Sequence, residues 1–374
     1  MIHVFNPEHD YALANNGPHF VPPESAIRFA RDCAPFLCYL MDQDDLLFQP
    51  YDAEKPFLTA QGLPADNPNP QDDVSPWGWD ALVLRQLRSK GFCLDDRWTD
   101  YVQHVRELAH RRHTIHALEH LQKAWPSRHL PEFPKELTSA EDAERYIQEH
   151  HDVIFKSPYS GNGRGHLYAH GECSPTLTRQ ITGVIRRQAS IMAEPMYHIL
   201  QDFAMEFVCQ SGEASFAGYS LFSTLHYGYA HNELCSDAQI VDTLSQWIPK
   251  ETLETVKESL ITYLNQTIAP YYSGCVGIDM CVYDNDGIHL HPMIEINLRM
   301  TMGMAAHRLY ERHIHPSATG IMCLEYRPKG LSDYLQQQSE QEPLKWEDGL
   351  WRSGFHVLTP IHEETQYAVC VQLS

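Results

Sequence analysis

The chain has 374 residues, 43% of them hydrophobic, enough for two or three lobes with real cores. Its formal net charge is −21 and its pI about 5.4, which argues against non-specific nucleic-acid binding and against anionic membranes. No apolar run approaches the ~18 residues of a transmembrane helix. Met1-Ile-His-Val-Phe-Asn-Pro lacks the basic and apolar regions of a signal peptide. Ten cysteines are scattered without CxxC pairs, and Cys33, Cys275, Cys281 and Cys370 sit in apolar runs. They read as reduced core residues of a cytoplasmic protein.

In chain order the pattern is α/β. His3 to Phe5 predicts a first strand, followed by a polar loop or short helix from Asn6 to Pro18. Asn6, His9 and Asp10 follow that strand, where α/β sheets place ligands, although Asn-Pro and Asp also simply make turns and caps. A helix starts near Pro23, and Pro35 to Leu40 predicts a second strand. Residues 63 to 78, rich in Pro, Asn and Asp, read as a long loop. Trp79 to Lys90 is helical and Gly91 stops it. Tyr101 to Trp125 is a second helical region, ended by Pro126. Ser139 opens a helix to Glu149 with a capping-box-like start.

His151-Asp-Val-Ile-Phe-Lys156 is a short apolar run ending in lysine. A glycine-rich loop follows, Ser160-Gly161-Asn-Gly163-Arg-Gly165, then the strand-like His166-Leu-Tyr-Ala. Glycines let backbone N–H groups approach a phosphate, and a lysine adds a point charge. No Gly-Lys-Ser/Thr follows, so this is not a Walker A loop, and no helix follows the glycines as a Rossmann fingerprint needs. Residues 175 to 190 are helical. Glu194-Pro-Met196 looks like a linker between lobes, and Phe203, Met205 and Phe207 alternate as a strand does. Strands with turns at Ser211-Gly and Tyr227-Gly fill 203 to 229, and Pro249 to Ile268 is an amphipathic helix.

Two β-rich runs then flank Asp284-Asn-Asp-Gly287, which predicts a hairpin. Asp279 lies on its first strand. Glu295 and Asn297 lie two apart on its second and share a face, and Arg299 continues that face. Two carboxylates and an amide oxygen are hard ligands of the kind Mg²⁺ takes beside nucleotide phosphates. Paired carboxylates in a low-dielectric site need such a cation. The plain alternative is a half-polar hairpin face in solvent. The polar segment from Gly330 to Glu347 precedes another strand-like run at Gly354.

The strand lysine with its flap, the Glu-containing hinge, the Asp strand and Glu295-Ile-Asn297-Leu-Arg299, in this order, resemble the ATP-grasp superfamily. The resemblance covers roughly residues 105 to 310. It implies an α/β fold in which an N-terminal pre-ATP-grasp-like lobe (1–100) precedes a small lobe with the flap (101–195) and a large lobe with the metal site (196–330). Residues 331–374 form an extension. The resemblance also implies ATP and Mg²⁺ (or Mn²⁺) as cofactors, and roles for single residues. Lys156 would contact the α- and β-phosphates, and Ser160, Gly161, Gly163 and Gly165 would close over them. Backbone around Met196 would hold adenine, with Glu194 near the exocyclic amine or ribose and Asp202 as a ribose ligand. Asp279, Glu295 and Asn297 would bind the metal, and Arg299 the reacting carboxylate or phosphoryl group. For one more ATP-contacting cation the nearest residues are Arg111 and Arg112, and Arg112 is taken.

The implied function is an ATP-dependent, ADP-forming ligase. It would activate a small-molecule carboxylate as an acylphosphate for attack by an amine or thiol. A small-molecule kinase on the same fold and a nucleotide-binding regulatory protein are the rivals. The resemblance is compatible with a homodimer. Of the 23 histidines, His110, His113, His116 and His120 read as a solvated helix face rather than a zinc set. His289 and His291 share one strand face near the metal pair and read either as partners supporting its ligands or as plain edge residues. His307-Arg308 line either the substrate end of the site or a helix surface.

Overall fold

The computed structural model describes residues 1–17, 19–125, 130–161, 165–225 and 228–374. Gly163 of the flap, Pro126 and the expected turn at Tyr227 lie outside them. The chain builds three sheets in succession. The first contains β1 (Ile2–Val4), β2 (Leu46–Phe48), β3 (Phe57–Thr59) and β4 (Val74–Pro76), in the order β3-β2-β1-β4. β1 runs parallel to both β2 and β4, so the connections must cross over, and helices α1 (His9–Asn15) and α2 (Glu24–Cys33) do so. α3 (Ala81–Lys90) follows. Asp80 caps it by accepting from the N–H groups of Leu82 and Val83, and Gly91 ends it in the left-handed region at φ 102°.

Two expectations fail in this region. Residues Ala34–Tyr39 form a 3₁₀ helix and not a strand. A six-residue apolar run does not reveal its period, and Pro35 at the first turn favours the helix. The expected loop from 63 to 78 contains β4. Its three residues are too short for alternation to show, and Pro76 is tolerated because β4 is an edge strand.

The helical region after it is two helices, α4 (Arg97–Leu108) and α5 (Arg112–Ala124). The break between them turns Arg111 inward. The second sheet, ordered β5-β8-β6-β7, holds β5 (Lys135–Leu137), β6 (Asp152–Lys156), β7 (Leu167–His170) and β8 (Ile191–Pro195). α6 (Ala140–His150) and α7 (Pro175–Gln188) cover it; Ser139 caps the first as the sequence suggests, and Ser174 caps the second. Their apolar stripes, with Tyr146, Ile147, Ile181 and Val184, close a core on Val153, Phe155 and Ile191.

The third sheet has nine strands in the order β13-β12-β9-β10-β11-β14-β17-β16-β15. They are β9 (His198–Gln210), β10 (Glu213–Leu225), β11 (Gly228–Leu234), β12 (Gly274–Asp284), β13 (Ile288–Asn297), β14 (Gly320–Tyr326), β15 (Lys345–Glu347), β16 (Leu350–Val357) and β17 (Tyr367–Leu373). Helices α8 (Asp237–Leu244), α9 (Lys250–Thr267), α10 (Met302–His313) and α11 (Leu331–Gln341) accompany them. The polar segment after Gly330 is therefore helical, held by buried Leu331 and Leu335, and residues 345–373 join the large sheet.

The alternation of β9 and β12 sorts their side chains. Phe203, Met205, Phe207, Val276, Ile278, Met280 and Val282 are buried in a core shared with α9. Each apolar side chain buried this way contributes about 1.5–3 kcal/mol. Asp202, Glu206, Asp279 and Cys281 occupy alternate positions, and so face the opposite side. Among the described residues no helix is long and apolar enough to cross a membrane.

Candidate active site

The hairpin pairs Asp279 directly with Glu295 and Gly277 with Asn297. In an antiparallel ladder, residues opposite one another point to the same side. The next strand over sets Ala204 opposite Asp279 and Asp202 opposite Cys281. Asp202, Asp279, Glu295 and Asn297 thus share one face of three adjacent strands. Asn297 Nδ2 donates to Asp279 Oδ2 at 3.1 Å, and Arg299 Nη2 donates to Asn297 Oδ1 at 3.0 Å. Arg299 Nε donates to Asp10 Oδ1 at 3.3 Å.

Asp10 comes from α1 at the far end of the chain, so the first lobe contributes to this site. Its neighbours Asn6 and His9 do something else. Both bond Asp80, each at 3.0 Å, and Asn6 also donates to the carbonyl of Gly78 at 2.8 Å. They hold the loop that presents Asp10. Gly78 has to be glycine, because a Cβ there would fall 2.6 Å from the His9 ring.

Arg111, at the break between α4 and α5, is buried, with its side chain only 4% exposed. Its Nη2 lies 2.8 Å from Glu295 Oε1. Its Nε donates to Ser157 O at 3.0 Å and its Nη2 to Ser160 O at 2.5 Å. It ties the base of the flap to the carboxylate face, and its Nη1 is buried without a hydrogen-bond partner among the described residues. Arg112 points elsewhere. Its side chain is 48% exposed and pairs with Glu136 at 2.7 Å. The cation in the cluster is Arg111, which the sequence reading named beside Arg112 but did not choose.

Lys156, at the end of β6, is buried and bonds Glu194 of β8 at 2.6 Å. The β6–β8 register sets Ile154 opposite Glu194 and Lys156 opposite Met192, which places these side chains on one face. Glu194 therefore balances the lysine in this structure. Met196 is partly buried and its N–H donates to Asp152 O at 3.0 Å. Asp202 Oδ2 accepts from Thr224 Oγ1 at 3.1 Å. Gly161 lies against the cluster, since a Cβ on it would fall 2.7 Å from Arg299 Nη2. Gly165 has φ 89°, which favours glycine.

Burial pushes Glu295 up to about 7, with Arg111 opposing and Asp279 and Asp10 adding to the rise. Burial raises Asp279 and Asp202 as well. Asp10 is raised by burial too, but the guanidinium of Arg299 outweighs this and holds it below the usual range. The face thus carries more carboxylate than its arginines balance. Such a hard-oxygen set with surplus negative charge fits a divalent cation.

Glu206 and His166 carry no signal in the sequence that singles them out, and His291 and His110 sit differently from expectation. Glu206, on the same face, is 1% exposed; Thr301 Oγ1 donates to its Oε1 at 2.9 Å and its Oε2 has no hydrogen-bond partner. Burial pushes it up to about 8. His166 has a buried Nε2 without a hydrogen-bond partner among the described residues, and burial, then Arg111 and Lys156, pull it down to about 3. His291 lies on the edge strand β13 but is 2% exposed, packed against Tyr197 and pulled down to about 4 by burial. His110 likewise leaves the expected solvated face, lying buried in the α4–α5 break 3.8 Å from Glu136. Only an alternating strand position hinted at Glu206.

The fold is similar to that of the ADP complex of PurK, an N5-carboxyaminoimidazole ribonucleotide synthetase. The TM-score is 0.52 at 10% identity, over 100% of this chain and 92% of that one. It is also similar to N5-carboxyaminoimidazole synthase from Aspergillus clavatus, TM-score 0.49 at 12% identity over 100% and 93% of the chains. A third is the biotin carboxylase of Campylobacter jejuni, TM-score 0.46 at 14% identity over 72% of this chain. The chain spans 63% of that biotin carboxylase's length. No protein-family model and no curated protein matches the sequence. The chain has the ATP-grasp fold.

Proposed function

We propose that the chain is an ATP- and Mg²⁺-dependent ligase that activates a carboxylate for attack by an amine. The observation that carries this reading is the single face on which Asp279, Glu295 and Asn297 meet Arg299, with Asp10 from the first lobe and Arg111 from the flap base. Residues 1–100 would supply Asp10, 101–195 the lysine and flap, and 196–330 the metal face. Asp279, Glu295 and Asn297 would hold Mg²⁺, which neutralises phosphoryl charge when bound. Lys156, released from Glu194, would contact phosphate oxygens, as would the orphan Nη1 of Arg111. Met196 and Asp202 would border adenine and ribose.

In the first half-reaction a substrate carboxylate oxygen bonds to the γ-phosphorus of ATP as the bond to ADP breaks. In the second, the amine nitrogen bonds to the acyl carbon, phosphate leaves with the bonding electrons, and the amine gives up a proton. Arg299 is suited to orient the carboxylate and to balance charge on the transferring group. A closed flap would keep water from the acylphosphate.

A thermal-shift titration with Mg²⁺-ATP tests this on the wild type and on Glu295→Ala. A ligand of the folded state adds about 2.7 kcal/mol at a hundredfold excess over its dissociation constant. The expected result is a magnesium-dependent rise in wild type that shrinks in the mutant. No rise in wild type overturns the reading. Amine-dependent release of ADP and free phosphate then separates a ligase from a kinase.

A further inference from the structure

A cavity of about 1060 Å³ lies beside the first lobe, lined by none of the flap or carboxylate-face residues. The first lobe lines it with His3, Trp77 and Trp79, and α4 with Trp98 and Tyr101. The foot of the β9–β12 pair adds Gly274 and Cys275, and α10 adds Arg308. Three lobes of the chain thus converge on one space of the size that takes a metabolite, the usual range being about 300–1,000 Å³.

Its charges are mostly spoken for. Arg312 pairs with Asp42 at 2.8 Å, and Arg97 with Asp95 at 2.8 Å. Asp45 holds the N-terminal ammonium at 2.9 Å and His3 at 3.0 Å. Glu311 lies 3.5 Å from His307. Arg308 differs. Among the described residues its one hydrogen bond is from Nη2 to the Cys275 thiol at 3.5 Å, and it has no carboxylate within ion-pair distance. A thiol is a weak acceptor, and a guanidinium carries five donors. Arg308 is a partly buried cation in a strongly acidic protein, with most of its donors unused.

The lining also carries a cluster of aromatic rings. The Trp79 and Trp98 rings lie 4.5 Å apart at 31°, and Tyr101 meets Trp98 edge-on at 5.4 Å. Such clusters favour a planar ring. The cavity also begins where the carboxylate face ends. Met300, which lines it, follows Arg299 directly, and Arg299 Nη1 donates to the Met300 carbonyl at 3.2 Å.

We propose that this cavity is the binding site for one of the two reactants, a small organic anion that carries a flat ring, its carboxylate or phosphate held by Arg308. That the ligand is a reactant rests on the ligase reading; that the cavity binds it does not. His307, the other half of the pair noted in the sequence, is not part of this wall. It sits over Gly218 with Asp237 at 3.6 Å.

Saturation-transfer NMR on the nucleotide-free protein tests the proposal with benzoate, phenyl phosphate and benzylamine as probes. Both anions are expected to bind and benzylamine not. A charge-assisted bond is worth about tenfold or more in affinity, so Arg308→Gln is expected to weaken benzoate by at least that, and Arg308→Lys by less. Trp98→Leu, in the aromatic cluster, is expected to weaken both anions and serves if Arg308→Gln misfolds. Glu295→Ala keeps benzoate binding, and Arg308→Gln keeps the Mg²⁺-ATP thermal shift. If that shift fails in wild type while benzoate binding still depends on Arg308, the ligase reading falls and the cavity stands. Absence of binding by both anions, equal binding of benzylamine, or an unchanged affinity in both Arg308→Gln and Trp98→Leu overturns the proposal. Phenyl phosphate binding without benzoate would narrow the class to phosphates.

Discussion

Nη2 of Arg111 stands 2.8 Å from Oε1 of Glu295, although 184 positions separate them in the chain. This ion pair joins the flap base to the carboxylate face. Removing one partner of a buried pair costs about 3–5 kcal/mol because the other charge is left uncompensated. Arg111→Met is therefore expected to lose stability on that scale. Arg112→Met, at a half-exposed pair with Glu136, is expected to lose less than about 1 kcal/mol. Urea denaturation of the two variants decides between them, and equal losses would refute the assignment of Arg111.

Lys156 and Glu194 form the second buried pair, at 2.6 Å. Either single change, Lys156→Met or Glu194→Leu, strands a charge and is expected to cost several kcal/mol. The double variant is expected to recover most of the loss, since a buried pair replaced by apolar groups is often neutral. It is also expected to lose Mg²⁺-ATP stabilisation. A double-mutant cycle in urea, with nucleotide added to each variant, measures both effects.

Glu206 gives the protein a pH dependence of known sign. Its carboxyl rises from 4.5 to about 8, mainly through burial, so the folded state binds a proton that the unfolded state has released. Its contribution to stability is present below about 4.5 and is lost as pH rises towards 8. Within that window the slope is up to about 1.4 kcal/mol per pH unit. Glu206→Gln keeps an acceptor for Thr301 and removes the titration. The variant is expected to gain on wild type as pH rises from 5 to 8, by roughly a few kcal/mol. Chemical denaturation across that range checks it, and parallel pH profiles would sink the argument.

Gly161→Ala tests how closely the flap base meets the cluster. The new methyl would lie 2.0 Å from Asp10 Oδ2 and 2.7 Å from Arg299 Nη2, so the loop or the Asp10–Arg299 pair must shift. Because the loop can yield, the loss of stability is expected to stay near 1 kcal/mol. Stabilisation by Mg²⁺-ATP is expected to fall more than that. Gly165→Ala, with open space around its Cβ, would meet only the strain of φ 89° and serves as the comparison. Thermal shifts with and without nucleotide separate the two.

Local chemistry made much of this legible from sequence. Ser139 and Gly91 mark helix ends because their groups bond the free ends of the backbone. The Asn-Asp-Gly turn and period-two spacing led to the hairpin, and hence to Asp279 beside Glu295 and Asn297. Lys156 and its glycine-rich flap were visible because residue types and order are local facts.

What the sequence could not decide depended on contacts between distant segments. The three-residue strands β2 and β4 owe their state to pairing with β1, and β3 to pairing with β2, not to their own pattern. Arg111 and Arg112 are chemically the same, and only the break between α4 and α5 turns one inward and leaves the other in solvent. Asp10 reaches Arg299 across 289 positions, and Glu206 becomes a perturbed acid only when α10 covers it. Burial and long-range pairing are properties of the packed chain, so they select among residues that the sequence presents as equals.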